Sequence, residues 1–197
     1  MNDTNLSSRY LLNEIPDEQK KIGEFGYKAC NLSLAKKWQF PVPDTVFLSG
    51  ELVKEIFEKK CVPAEILSHF KNKLLAIRPS PVIDISVKNE PFLYIGLDDR
   101  SYEILKKTVG IKKASQIYLS FLRMFSLTVY NLDLENCDEL RRLLENSGRP
   151  ESIFEEGSPN QVSRIKKLIS LETGSNFPRS ISEQLIEVIN SIYKSWI

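Results

Sequence analysis

From Asp98 onward the sequence is punctuated as a run of helices, and this constrains the fold more than any other feature. Asp98-Asp99 provides a cap, and the helix it opens stops at Gly110. Residues 113–130 place Ala114, Ile117, Phe121, Phe125 and Val129 on one helical face, and residues 136–147 do the same with Leu140, Leu143 and Leu144 before Gly148 and Pro150. The stretch Gly157-Ser-Pro-Asn160 reads as a turn, followed by a helix carrying Val162, Ile165, Leu168 and Ile169 and ended by Gly174. Ser180 and Glu183 then form a capping box for a last helix whose inner face holds Ile181, Leu185, Val188, Ile189, Ile192 and Trp196. That helix reaches Trp196-Ile197 without a polar tail. It reads either as a helix docked on the core or as the point where a longer protein has been cut.

The first half mixes both periodicities. Residues 8–15, 45–48, 74–78 and 92–97 read as strands, and 82–87 alternates. Helical spacing covers 27–38, a segment N-capped by Ser49 and running to about Lys60, and a segment opened by Pro63 with Ile66, Phe70 and Leu74 as its stripe. The expected fold is therefore α+β, a small sheet with helices followed by a helical second half. We expect one domain over 1–197, with lobes at 1–109 (joined by 179–197) and 110–178.

Composition removes several classes. Lys plus Arg is 27 against 26 for Asp plus Glu, so a phosphate-neutralising nucleic-acid face is not expected. No apolar run is long enough to span a bilayer, and the start Met1-Asn-Asp-Thr-Asn5 is too polar for a signal peptide, so we expect a cytoplasmic protein with no membrane partner. Cys30, Cys61 and Cys137 form neither a disulfide framework nor a zinc motif, and His69 is the one histidine, which excludes a multi-His metal site.

The chemistry points to one bend. Gly23-Glu-Phe-Gly26 feeds the helix beginning at Tyr27, so backbone N–H groups and the positive end of a helix dipole face outward beside Lys28. A lysine there adds a point charge within reach of phosphate oxygens.

Several stretches, in order, resemble the N-terminal nucleotide-binding domain of the pyruvate phosphate dikinase family. Gly26-Tyr-Lys28-Ala-Cys-Asn31-Leu32 is similar to that family's Gly-Gly-Lys-Gly-Ala-Asn-Leu, and Pro41-Val-Pro43 to its Leu-Pro-Val-Pro-Pro-Gly-Phe. Arg78–Asp99 aligns without a gap on the segment from Arg-Ser-Gly to Leu-Gly-Leu-Asn-Asp. Phe121-Leu-Arg-Met-Phe125 resembles Arg-Phe-Ile-Gln-Met-Phe, and Glu172-Thr-Gly174, Phe177-Pro178, Glu183-Gln-Leu185 and Ser195-Trp196 resemble Glu-Thr-Gly, Phe-Pro, Glu-Gln-Leu and Arg-Ser-Trp.

The resemblance implies the front portion of an ATP-grasp unit. Its parent activity carries phosphate from ATP to a histidine and on to pyruvate, giving phosphoenolpyruvate. It implies nucleotide binding through Lys28, Arg78, Gly26 and Glu90, with ATP and Mg as cofactor. The acidic metal ligands and the histidine acceptor belong to the family's other lobes, so no catalytic residue is expected in this chain. Partners would be a nucleotide and the remaining domains of a longer chain, or a second copy.

Departures from the pattern support a competing reading. Tyr27 and Ala29 replace glycines, Pro79 removes a backbone donor beside Arg78, and Asp84-Ile-Ser-Val-Lys-Asn-Glu90 lacks the family's Pro-Gly turn. A non-catalytic interaction domain that kept the fold and lost the pocket fits these changes. We read His69 as an edge-of-core or surface residue and Asp98-Asp99 as a helix cap. Glu155-Glu156 reads as a solvated loop, and Tyr118, Phe121 and Phe125 as core packing.

Overall fold

The computed structural model describes residues 10–12, 14–82, 91–145 and 158–196. Two short antiparallel sheets sit among eight helices of these described residues. In the first, β1 (Tyr10–Leu12) pairs with β2 (Val46–Leu48), Tyr10 opposite Leu48 and Leu12 opposite Val46. In the second, β3 (Leu75–Ile77) pairs with β4 (Phe92–Ile95), with a register irregularity between Leu75 and Ile77. The fold is α+β and mostly helical.

Between β1 and β2 runs α1 (Glu18–Lys37), which starts earlier than its sequence suggested and kinks at Gly26 (φ 79°, ψ 166°). The apolar positions Ile22, Phe25 and Ala29 keep a helical stripe across the kink, which is why both halves bury the same side. That side closes a small core of Ile15, Phe25, Cys30 and Phe47. Ser33, fully buried, ties it down: its Oγ accepts the Ile15 N–H at 2.7 Å.

Helix α2 (Gly50–Lys59) begins at Ser49, whose hydroxyl accepts the Leu52 N–H at 3.2 Å. Helix α3 (Ala64–His69) follows Pro63, buries Ile66 and ends before Leu74, which is exposed. Helix α4 (Asp99–Val109) carries a capping box in which Asp98 Oδ1 accepts the Ser101 N–H at 2.7 Å. Gly110, at φ 83°, turns the chain directly into α5 (Ile111–Met124), which passes into a π turn over Phe125–Val129. Helix α6 (Asp138–Glu145) follows a short 3₁₀ segment. Helix α7 (Ser158–Thr173) already includes Ser158–Asn160, where a turn was expected. Proline is tolerated in a first helical turn, where its missing N–H would have had no partner. Helix α8 (Ile181–Lys194) opens with the Ser180–Glu183 capping box.

The main core draws on α2, β4, α5, α6, α7 and α8, from Leu52 to Ile192, and so crosses position 110. Phe121 and Phe125 stack edge-on at 5.0 Å and both meet Phe177, so the aromatic stripe of α5 is core. The alternating stretch 82–87 and Glu155-Glu156 lie outside the described residues, apart from Val82. Among the described residues no helix is long and apolar enough to cross a membrane.

Candidate functional site

The kink of α1 and the chain leaving β3 meet at Gly26. A Cβ built on Gly26 would lie 1.7 Å from the Ser80 carbonyl oxygen and 2.6 Å from Ser80 Oγ, so only glycine admits this approach. Ser80 Oγ in turn accepts the Ala29 N–H at 2.9 Å, across 51 positions of sequence. This N–H lies three residues after the kink, where a helix that restarts at Tyr27 needs a capping acceptor. Gly26 has no side chain to supply one. Ser80 caps the helix from the other segment.

Lys28 leaves this restart half-buried, and Arg78 leaves the end of β3 exposed. Neither pairs with an acidic side chain among the described residues. Tyr27, at the restart, is 52% exposed. Of the four predicted binding residues, Gly26 lies at the junction itself, Lys28 and Arg78 lie on the two segments that meet there, and Glu90 lies outside the described residues. Sequence reasoning missed Ser80, because its neighbours Pro79 and Pro81 read only as strand breakers.

Two other polar clusters stand apart. Asp44 receives Lys73 Nζ at 2.7 Å and lies 3.0 Å from His69 Nε2, and these contacts, Lys73 first, hold its carboxyl below the usual range. His69 also sets its ring edge-on to Phe70 at 4.7 Å, a side chain at the rim of the core. In the second, Asp99 Oδ1 accepts from Lys166 Nζ and from the Tyr118 hydroxyl, each at 3.0 Å. Burial, then the Asp99 charge, keeps the Tyr118 phenol protonated well beyond its ordinary range. Among the described residues no three His, Cys, Asp or Glu side chains gather as a metal site. Two open surface depressions lie elsewhere, one at the end of α7 around Lys167, Leu171 and Asn176, the other beside Arg142, Leu143 and Arg164.

What the junction can do chemically is limited and specific. Its two segments are tied by the Ser80 cap and carry a lysine on one and an arginine on the other. Compared with known proteins, the chain matches no family model and no curated protein.

Proposed function

We propose that this chain is the phosphate-holding front portion of a nucleotide-binding unit of the pyruvate phosphate dikinase type, an ATP-grasp lobe that binds ATP with Mg. The observation that carries the reading is the contact of Gly26 and Ala29 with Ser80. It joins the two segments whose cations, Lys28 and Arg78, match the family's phosphate contacts. Covalent geometry through that hydrogen bond keeps the two α-carbons within roughly 15 Å, a span that two long side chains and one phosphate group can bridge. Lys28 would neutralise phosphate charge as a mobile point, while Arg78 would orient it through paired N–H donors. Transfer to a histidine and then to pyruvate would belong to the assembled enzyme, so this chain alone binds without turnover.

The test is calorimetric titration of ATP, with and without magnesium, into wild type, Lys28→Ala and Arg78→Ala. Binding at millimolar concentration or tighter, weakened in both variants, supports the proposal. Identical behaviour of all three proteins removes these residues from any site.

One observation favours a second reading, a non-catalytic interaction domain. The Ala29 N–H is already taken by Ser80, and the close face of Gly26 is filled by the Ser80 carbonyl. A phosphate arriving there finds fewer free donors than an open glycine loop presents. If wild type shows no ATP heat at millimolar nucleotide, this second reading replaces the first.

A further inference from the structure

We infer that Ser80 is a positioning residue of the phosphate seat, a role that rests on the nucleotide-binding reading above. Its hydroxyl oxygen accepts the Ala29 N–H at 2.9 Å, and its carbonyl lies where a side chain on Gly26 would have to be. One residue therefore fixes both the start of the second half of α1 and the end of the segment that leaves β3.

Lys28 is the residue immediately before the capped N–H, and Arg78 is two residues before the capping hydroxyl. Pro79, between Arg78 and Ser80, fixes its own backbone φ and so narrows how the Arg78 backbone can swing about the anchor, while the guanidinium keeps its side-chain freedom. The cap therefore limits how far apart the backbone positions of two cations from distant parts of the chain can lie. Two charges prearranged for one anion bind it better than the same charges on independent segments, because less freedom is lost on binding. Ser80 touches no phosphate in this scheme; it acts through Lys28 and Arg78.

This separates the role from simple stability. A residue that only supports the fold would lower the melting temperature and leave ATP affinity of the folded fraction unchanged. A residue that positions Lys28 should lose its effect once Lys28 is gone. The experiment is a double-mutant cycle on the full chain, with magnesium ATP affinity read by calorimetry and melting temperature recorded for each protein. The set is wild type, Lys28→Ala, Ser80→Ala and the double variant, with Ser80→Thr as the conservative control.

We expect Ser80→Ala to weaken ATP about fivefold, the loss of one hydrogen bond. Ser80→Thr should bind within about twofold of wild type, because it keeps the hydroxyl. In the Lys28→Ala background, Ser80→Ala should add little. Equal fold-losses from Ser80→Ala with and without Lys28 overturn the positioning role while leaving nucleotide binding intact. Retained affinity in Ser80→Ala does the same. Absence of ATP binding by wild type overturns the nucleotide reading and this role with it.

Discussion

The side-chain amide of Gln184 holds the backbone at Gly96: its Oε1 accepts the Gly96 N–H at 2.7 Å across 88 positions. The same amide donates from Nε2 to the Leu97 carbonyl at 3.0 Å, so one buried side chain satisfies two backbone groups beyond β4. Gly96 itself sits at φ 97°, with the Lys73 carbonyl 3.0 Å from where a Cβ would stand. The turn into the Asp98 cap is thus built by α8, and α4 starts where α8 allows it.

Removing that amide should be costly. Gln184→Leu keeps the volume and strands the Gly96 N–H and Leu97 carbonyl without water, which should destabilise the protein by about 2–3 kcal/mol. Urea unfolding monitored by circular dichroism measures it. A loss below about 0.5 kcal/mol would show that water replaces the amide freely.

Two glycines of α1 should respond in opposite directions. Gly26→Ala meets the Ser80 carbonyl in a backbone conformation that disfavours any side chain, and should cost about 3 kcal/mol or more. Gly23 has open space around its Cβ position, so Gly23→Ala should be neutral or stabilising by up to about 1 kcal/mol. Thermal melts of the two variants give the comparison.

Burial predicts a similar contrast among leucines. Leu122 is fully buried in α5 and Leu171 is 67% exposed in α7. Leu122→Ala should cost about 3 kcal/mol through lost burial and a cavity, and Leu171→Ala less than about 0.5 kcal/mol, both read from denaturation midpoints.

Acid should separate wild type from Asp99→Asn. Lys166 is the main cause of the lowered Asp99 pKa, with the Tyr118 hydroxyl adding to it. A carboxyl whose folded pKa lies below its unfolded value contributes stability above the unfolded pKa and loses it as pH falls through the folded one. Wild type should therefore melt higher than Asp99→Asn at neutral pH, and the gap should close below the ordinary carboxylate range. Asp99 is largely solvent-exposed, so the gap should be small and should shrink in salt. A gap that stays constant from neutral pH to pH 2 would assign the effect to packing instead.

Salt should also report on the phosphate seat. If Lys28 and Arg78 hold the nucleotide largely by charge, ATP affinity should fall as ionic strength rises, and the fall should be shallower in Lys28→Ala. Calorimetric titrations at two salt concentrations, with magnesium held constant, distinguish the slopes.

Much of the architecture was legible because local signals act over a few residues. Ser49, Asp98 and Ser180 were readable as caps since the acceptor and its N–H lie within one turn. Gly110 and Gly174 were readable as stops, both standing at positive φ. The start of α1 was hidden because Gly23 and Gly26 weaken the helical signal where Ile22, Phe25 and Ala29 carry the stripe. At the candidate site, Lys28 and Arg78 were visible as residue types in a suggestive setting. Ser80 was not, because nothing near it in sequence announces a partner 51 positions away.

Residue spacing and capping chemistry alone established a helical second half behind a mixed first half. Folding settled which segment closes on the Gly26 bend, that Ser80 supplies the missing cap, and that Gln184 shapes the turn after β4. The division follows from range: periodicity and capping depend on neighbours along the chain, whereas a contact between distant segments depends on how whole helices pack.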